Sequence, residues 1–125
     1  MSRSTQRKEA MFYLYQYLLK ENAHLKIDSE DVFLLNEAFQ SVIGISLTQK
    51  KDLVELINDE LIDWTFDRLG FIEQAILLLA CGEAIILQTE KQVIIDEAVK
   101  LAKEFGDEDD TYKLINATLD KVLDI

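Results

Sequence analysis

The side chains best suited to acid–base chemistry are two carboxylates in one strongly apolar stretch. Glu73 and Glu83 lie ten residues apart within FIEQAILLLACGEAII. Paired carboxylates can move protons on a substrate when they converge on one site. Ten residues are nearly three turns of a helix, so these two side chains are separated along the helix axis. The spacing therefore predicts polar edges of a buried helix, or contacts to a partner, and no catalytic pair.

Other residues with reactive side chains also lack the spacing that a site needs. The run Asp107–Asp110 does not have the alternating ligands, glycine and distal glutamate of a calcium loop, and it predicts a solvated turn. His24 and Cys81 are the single histidine and cysteine, and Cys81 lies in an apolar run typical of a core. Glycine-rich nucleotide-binding motifs are absent from the sequence. We expect no catalytic residue, no metal site and no cofactor.

The composition favours an all-helical domain. The 125 residues are 49% apolar and include no proline and only four glycines, so the turn-forming residues that separate strands are missing. One cysteine excludes an internal disulfide and fits a reducing cytoplasm. The N-terminus shows no secretory signal, and the apolar stretch Phe71–Gln88 is short for a membrane span and contains carboxylates. We expect a cytoplasmic protein without a membrane segment.

The charge is distributed unevenly along the chain. The net charge is −11, yet residues 1–20 contain four cations and one carboxylate, so the remaining 105 residues carry −14. An acidic body repels phosphate chains except near the basic end. Arg3, Arg7 and Lys8 precede or occupy the first turns of a predicted helix, where cations oppose the helix dipole. This placement indicates an anionic partner for the N-terminus.

Apolar periodicity predicts six to seven helices arranged as two packed three-helix bundles in one domain, residues 1–125. A seam at Asp63–Gly70 divides the chain into halves 1–62 and 63–125. Gly44 and Gly106 are each expected to end a helix, and Gly106 is expected to adopt a left-handed conformation. Asp96 is expected to cap the start of a helix. Ser46 with Gln49 fits a capping box. The predicted helices are Thr5–Lys20, Ser29–Ile43, Ser46–Ile62, Phe71–Gln88, Asp96–Phe105 and Thr111–Leu123.

Three blocks in the second half resemble the NusB family of bacterial transcription antitermination factors. The first, WTFDRLGFIEQAILLLACGEAI, resembles the family segment W…RL…E.AILR.A..E. The second, VIIDEAVKLAKEFG, resembles V.INEAVELAK.FG, and the third, KLINATLDKV, resembles KFVNGVLDK. The order and separation of the blocks agree, and residues 1–20 agree more loosely through Arg7, Ala10, Leu14 and Tyr15. Residues 21–60 match in length and helical pattern only.

The resemblance implies an all-α fold of two three-helix bundles, which agrees with the helices counted from periodicity. It also implies a function. Members of the family bind the boxA element of ribosomal RNA leaders together with a small-subunit ribosomal protein, also called NusE. The resulting complex helps RNA polymerase in the transcription elongation complex to read through terminators.

The resemblance also implies roles for individual residues. Arg3 and Arg7 match the arginine-rich start of the family, Lys8 is a further cation beside them, and all three are expected to contact phosphates. Tyr15 matches a family tyrosine that either stacks on a base or fills the bundle. The remaining residues implied by the match are Asp110 and Lys113 beside the RNA, and Glu73 facing the ribosomal protein. Glu83, on the same helix as Glu73, is a further candidate for partner binding.

Departures from the family pattern keep other functions open. Ser4 and Thr5 replace arginines, and Leu114 replaces a phenylalanine that could stack on a base. Leu78, Gly82 and Ala117 also differ from the pattern. A divergent protein-interaction module without sequence-specific RNA binding is therefore the alternative.

A third hypothesis is a detached substrate-binding part of a ribosomal RNA cytosine methyltransferase, because NusB-like domains also occur fused to such enzymes. The oligomeric state is open from the sequence. Aromatic residues of the first helix, Phe12, Tyr13 and Tyr17, could cover either a homodimer interface or the protein partner.

Overall fold

The fold is entirely helical in the part of the chain that the structure, a computed structural model, describes: residues 2–25, 35–108 and 110–124. These residues contain no strand, which confirms the predicted all-α class. Among the described residues, three α-helices precede the seam and three follow it, as predicted. The α-helices are α1 (Arg3–Asn22), α2 (Glu37–Thr48), α3 (Lys50–Glu60), α4 (Phe71–Ile86), α5 (Lys91–Phe105) and α6 (Thr111–Val122), with a short 3-10 helix at Phe66–Arg68.

Helix α4 forms the centre of the fold. It packs against α1, α2 and α5 most extensively, and also against α3 and α6. Every residue from Ile72 to Glu83 is buried, which explains why this stretch is apolar on all sides and shows no single hydrophobic face. No helix among the described residues has the length and hydropathy of a bilayer-spanning segment.

Helices α1 and α5 run in the same direction and exchange side-chain contacts at two places. The Ser4 hydroxyl donates to Glu97 Oε1 at 3.0 Å. Eight residues further along each helix, the rings of Phe12 and Phe105 meet edge to face with centroids 4.9 Å apart. The start of α1 therefore lies about 12 Å from the end of α5, measured along the helices.

Helices α2 and α4 approach each other closely at Ser46 and Gly82. The Ser46 hydroxyl is fully buried and hydrogen-bonds the carbonyls of Val42, at 2.8 Å, and Leu78, at 3.0 Å. A Cβ on Gly82 would lie 2.2 Å from the Ser46 Oγ.

The predicted capping box at Ser46 is therefore wrong, since this residue lies inside α2 and joins two helices. Gly44 is exposed within α2 and does not end it.

Other helix ends in the structure also differ from the predicted ones. Asn36 caps α2 by accepting from the Phe39 amide at 2.9 Å, so α2 begins at Glu37, and the predicted start at Ser29 lies outside the described residues. Helix α5 begins at Lys91, which puts Asp96 inside the helix instead of at its cap. Gly106 ends α5 with a φ of −59°, so the predicted left-handed conformation is wrong.

Candidate nucleic-acid and partner interface

A buried ion pair connects α1 to the far end of α4. Arg7 Nε and Nη2 donate to Glu83 Oε1 and Oε2 at 2.7 and 2.8 Å, and both residues are at least 96% buried. The hydrogen bond to Glu83 raises the pKa of the Arg7 guanidinium, so the pair stays charged. Arg7 Nη1 also lies 3.6 Å from Glu97 Oε1.

This ion pair changes the interpretation of two predicted site residues. Arg7 was expected to contact phosphate, and Glu83 to face a partner. In this structure each satisfies the other inside the protein, because a buried charge is stable only when it is paired and hydrogen-bonded. Arg7 and Glu83 therefore have a structural role in this geometry, and neither charge is exposed to solvent.

Two other predicted cations remain accessible at the start of α1. Arg3 is exposed and Lys8 is half-buried. Ser2 caps the helix by accepting from the Thr5 amide at 3.1 Å, which fixes where the first turn begins. Unpaired amides at a helix start carry partial positive charge, which adds to that of the cations. This end of α1 therefore combines a positive helix end with two accessible basic side chains.

Tyr15 and the neighbouring aromatic residues are half-buried. Tyr15 packs against the core and keeps part of its ring accessible. Phe12 and Tyr13 also pack against the core, and Phe12 contacts Phe105. The core-filling alternative for Tyr15 thus has support.

Asp110 and Lys113 lie on the surface where α6 begins. Their side chains are 3.8 Å apart at closest approach and mostly exposed, so this ion pair contributes little. The Tyr112 ring lies between two cations, with Lys103 Nζ 4.7 Å and Lys113 Nζ 5.9 Å from its centroid. The α6 start therefore presents an aromatic ring flanked by lysines directly after the acidic loop.

Glu73 lies at the base of a cleft between the start of α4 and the α5–α6 loop. Its Oε1 accepts from the Asp107 amide at 2.8 Å, while Oε2 is buried and has no hydrogen-bond partner among the described residues. Burial raises the pKa of the Glu73 carboxyl, and the bond from the Asp107 amide opposes this shift. The cleft measures about 170 Å³ and is lined by Trp64, Arg68, Leu69, Gly70, Glu73, Asp107, Glu108, Thr111 and Leu114.

The cleft includes residues that sequence analysis had not assigned to a site. Trp64 is 44% exposed beside it, and a Cβ on Gly70 would lie 1.9 Å from Asp107 Oδ2 and 2.6 Å from Glu73 Oε2. The two carboxylates therefore converge on Gly70, a position where only a glycine leaves both in place. For Trp64, the sequence signal was a tryptophan within the predicted seam Asp63–Gly70, whereas the contact between α4 and the loop depends on the tertiary structure.

The structure offers no support for catalysis or metal binding in the described residues. Cys81 is buried in α4, and burial raises the pKa of its thiol to about 12, which keeps the thiol protonated. His24 is exposed just after α1, whereas Cys81 is buried. Groups of three or more side chains suited to holding a metal ion are absent from this part of the chain.

The fold and these surfaces define an all-α protein in which the helices on both sides of the seam pack around the central helix α4. The chain belongs to the NusB family, because the model of that family matches residues 4–124. The chain is 35% identical to the transcription antitermination protein NusB of Staphylococcus epidermidis over 132 residues, which cover 99% of this chain and 100% of that protein. The family resemblance predicted from the sequence is confirmed.

Two further similarities define how far the likeness extends. NusB of T. maritima has a TM-score of 0.82 to this structure at 20% sequence identity, covering 99% of this chain and 92% of that one, which shows the shared fold. NusB of a Cyanothece strain is 40% identical over 77 residues, which represent 62% of this chain but 36% of that longer protein. Some relatives are therefore much longer than the region they share with this chain.

Proposed function

We propose that this chain acts as a transcription antitermination factor that binds boxA-type RNA together with the small-subunit ribosomal protein NusE. The observation that carries the proposal is the position of the basic helix start. Arg3 and Lys8 lie at the end of α1 that runs beside α5, and α5 leads along the same edge to the loop before Lys113. Helix α5 thus connects the basic start of α1 to the segment that contains Lys113.

In this proposal the RNA backbone follows the edge from α1 to α6. Arg3 and Lys8 contact phosphates, and the exposed part of Tyr15 contacts a base. Lys113 contacts the RNA beyond the end of α5, while Asp110 lies beside it and accepts hydrogen bonds from sugar or base donors. Arg7 supports this surface from inside through Glu83.

The proposed partner surface is the cleft at Glu73. A carboxylate oxygen that is buried without a hydrogen bond costs free energy, and a donor from another molecule would remove that cost. Asp107 and Glu108 line the cleft with Glu73, so among the described residues its carboxylates outnumber its one cation, Arg68, and a lysine or arginine of the partner is the complementary group. Ribosomal proteins bind RNA through such cations, and NusE would present one to this cleft.

A titration tests both parts of the proposal. Fluorescently labelled boxA-type RNA is titrated with this protein alone, with the ribosomal protein alone and with both, and a scrambled RNA of the same composition serves as control. We expect the tightest binding with both proteins and a preference for the boxA-type sequence. Equal binding of the two RNAs under every condition would refute sequence-specific recognition.

We also propose that the chain works by binding, without catalysis, as one unit of residues 1–125 in the cytoplasm and as part of the transcription elongation complex. The family match supports this proposal. A homodimer through the aromatic part of α1 is less favoured, because Phe12 and Tyr13 pack against the core. Light scattering of the free protein would determine the oligomeric state.

A protein-interaction role without RNA recognition is the second candidate, and the ion pair of Arg7 favours it. Because Arg7 is used inside the protein, fewer cations face an RNA than the sequence indicates, while most of the chain is strongly acidic. The variant Arg3→Glu with Lys8→Glu distinguishes the two roles. Loss of RNA binding with unchanged binding of NusE would contradict the protein-only function.

A further inference from the structure

A groove of about 140 Å³ lies between the first two turns of α1 and the middle of α5. Ser4, Thr5 and Lys8 line it from α1, and Lys100 and Glu104 line it from α5, together with Glu97 and Leu101. The ammonium groups of Lys8 and Lys100 therefore border one opening, together with the carboxylates of Glu97 and Glu104. Ammonium groups commonly bind phosphate oxygens in nucleic-acid complexes.

The carboxylate of Glu97 at this groove is already engaged. Glu97 Oε1 accepts from the Ser4 hydroxyl at 3.0 Å and lies 3.6 Å from the Arg7 guanidinium. The bond from Ser4 and the nearby guanidinium therefore hold the Glu97 carboxylate against α1. Ser4 is also fixed by this bond, which holds the first turn of α1 against α5.

Lys100 is the group in this groove that is freest to reach a ligand. Its side chain is 69% exposed, and its Nζ lies 3.8 Å from Glu97 Oε1, too far for a hydrogen bond. An exposed pair at this distance costs little to break. Lys100 can therefore turn toward an anion without losing a strong interaction.

We infer that this groove binds a backbone phosphate of the RNA, with Lys100 on α5 and Lys8 on α1 as the two cations. The inference rests on the proposed function and adds α5 to the RNA-binding surface. Arg7 acts as a positioning residue here, because it holds Glu97 and through it Ser4. Helix α5 then continues the contacts of α1 toward Lys113 along the same edge.

The experiment measures the salt dependence of RNA binding for Lys100→Gln and Lys8→Gln with the ribosomal protein present. Lys51→Gln is the matched control, because Lys51 is exposed on α3, which packs against α2, α4 and α6. Each lost phosphate contact should lower the slope of log affinity against log salt by about 0.7, which is about fivefold in affinity near 0.1 M salt. BoxA-type and scrambled RNA should weaken equally, since a phosphate contact carries no sequence information.

The outcomes separate this inference from the proposed function. An unchanged slope for Lys100→Gln, with wild-type protein binding RNA, overturns the groove and leaves the proposed function intact. An equal loss for Lys51→Gln also overturns it, because the effect would then be one of general charge. Failure of the wild-type complex to bind either RNA overturns both. Thermal melting of each variant verifies that folding is unchanged, and Lys100→Arg should restore the slope.

Discussion

The guanidinium of Arg7 and the carboxylate of Glu83 form two parallel hydrogen bonds, 2.7 and 2.8 Å long, between residues 76 positions apart in the sequence. Both side chains are at least 95% buried. Planar pairing of this kind gives strength and geometric specificity. It fixes the rotation of α1 on α4, and with it the direction in which Arg3 and Lys8 point.

Breaking this ion pair should destabilise the protein strongly. Arg7→Met leaves Glu83 buried without a counter-charge, and we expect a loss of about 3–5 kcal/mol in the free energy of unfolding. Urea denaturation followed by circular dichroism measures it. The matched variant Arg3→Met alters an exposed arginine of the same helix and should change stability by less than about 0.5 kcal/mol. Equal effects of the two variants would contradict the structural role of Arg7.

Replacing both members of the pair should cost less than replacing one. The double variant Arg7→Met with Glu83→Leu removes both charges and refills the volume with apolar atoms, an exchange that is often close to neutral. Its stability should therefore exceed that of Arg7→Met alone. RNA binding by this double variant would then report on Arg7 as a ligand without interference from unfolding.

The close approach of α2 and α4 predicts opposite effects for two glycines. Gly82→Ala places a Cβ 2.2 Å from the Ser46 Oγ and 2.8 Å from the Val42 carbonyl oxygen. We expect a loss of about 1–3 kcal/mol, as for other overpacked cores. Gly44→Ala is the control, because a Cβ there meets nothing within 4 Å, and it should stabilise α2 by about 0.5–1 kcal/mol. Thermal unfolding of both variants measures the difference, and a Gly82→Ala variant as stable as wild type would refute the close packing.

Glu73 predicts a pH dependence of stability. Burial raises its pKa in the folded state above the ordinary carboxyl value of 4.5, so the folded state holds this proton more tightly. The contribution of Glu73 to stability is then complete below pH 4.5 and is lost as the pH rises through the raised pKa. Glu73→Gln stays neutral at every pH, and its stability relative to wild type should increase over this range. Paired melting curves from pH 4 to 8 test this, and a constant difference would contradict it.

Trp64 should contribute to partner binding more than to folding. It is 44% exposed beside the Glu73 cleft, and exposed tryptophans near the centre of an interface often dominate its affinity. Trp64→Ala should weaken binding of NusE by about 2 kcal/mol or more, measured by calorimetry. Ile85→Ala is a matched control, since Ile85 is 48% exposed near the opposite end of α4. Similar losses for both variants would indicate that the cleft is not the binding site.

Local sequence patterns predicted where two of the helices begin and failed where a tertiary contact decided the local structure. Helix α6 begins at Thr111 as expected, and α4 begins at Phe71. Ser46 has the spacing of a cap, but its hydroxyl reaches the Leu78 carbonyl 32 residues away and stays inside α2. Periodicity contains no information on such a partner, because it reports one helix at a time.

In the candidate site, too, residue types predicted some features and tertiary contacts decided the others. The basic start of α1 could be read directly from residue types, and Arg3 and Lys8 remain accessible in the structure. No local pattern indicated that Arg7, five residues from the N-cap Ser2, turns inward to Glu83. Arg7 and Lys8 point about 100° apart around α1, whereas Arg3 shares the side of Arg7 but stands at the first residue of the helix. Which of these side chains is buried depends on how α1 packs against α4.

The bond from the Asp107 amide to Glu73 makes one proton of a surface loop a spectroscopic reporter. Asp107 is exposed, yet its amide donates to a buried carboxylate at 2.8 Å. Its hydrogen exchange should thus be slow for a loop, and its NMR chemical shift should follow the charge on Glu73. A donor that reaches Glu73 Oε2 would change the same resonance. A single amide signal could therefore count how many molecules hold a partner in the cleft, with no label attached to either protein.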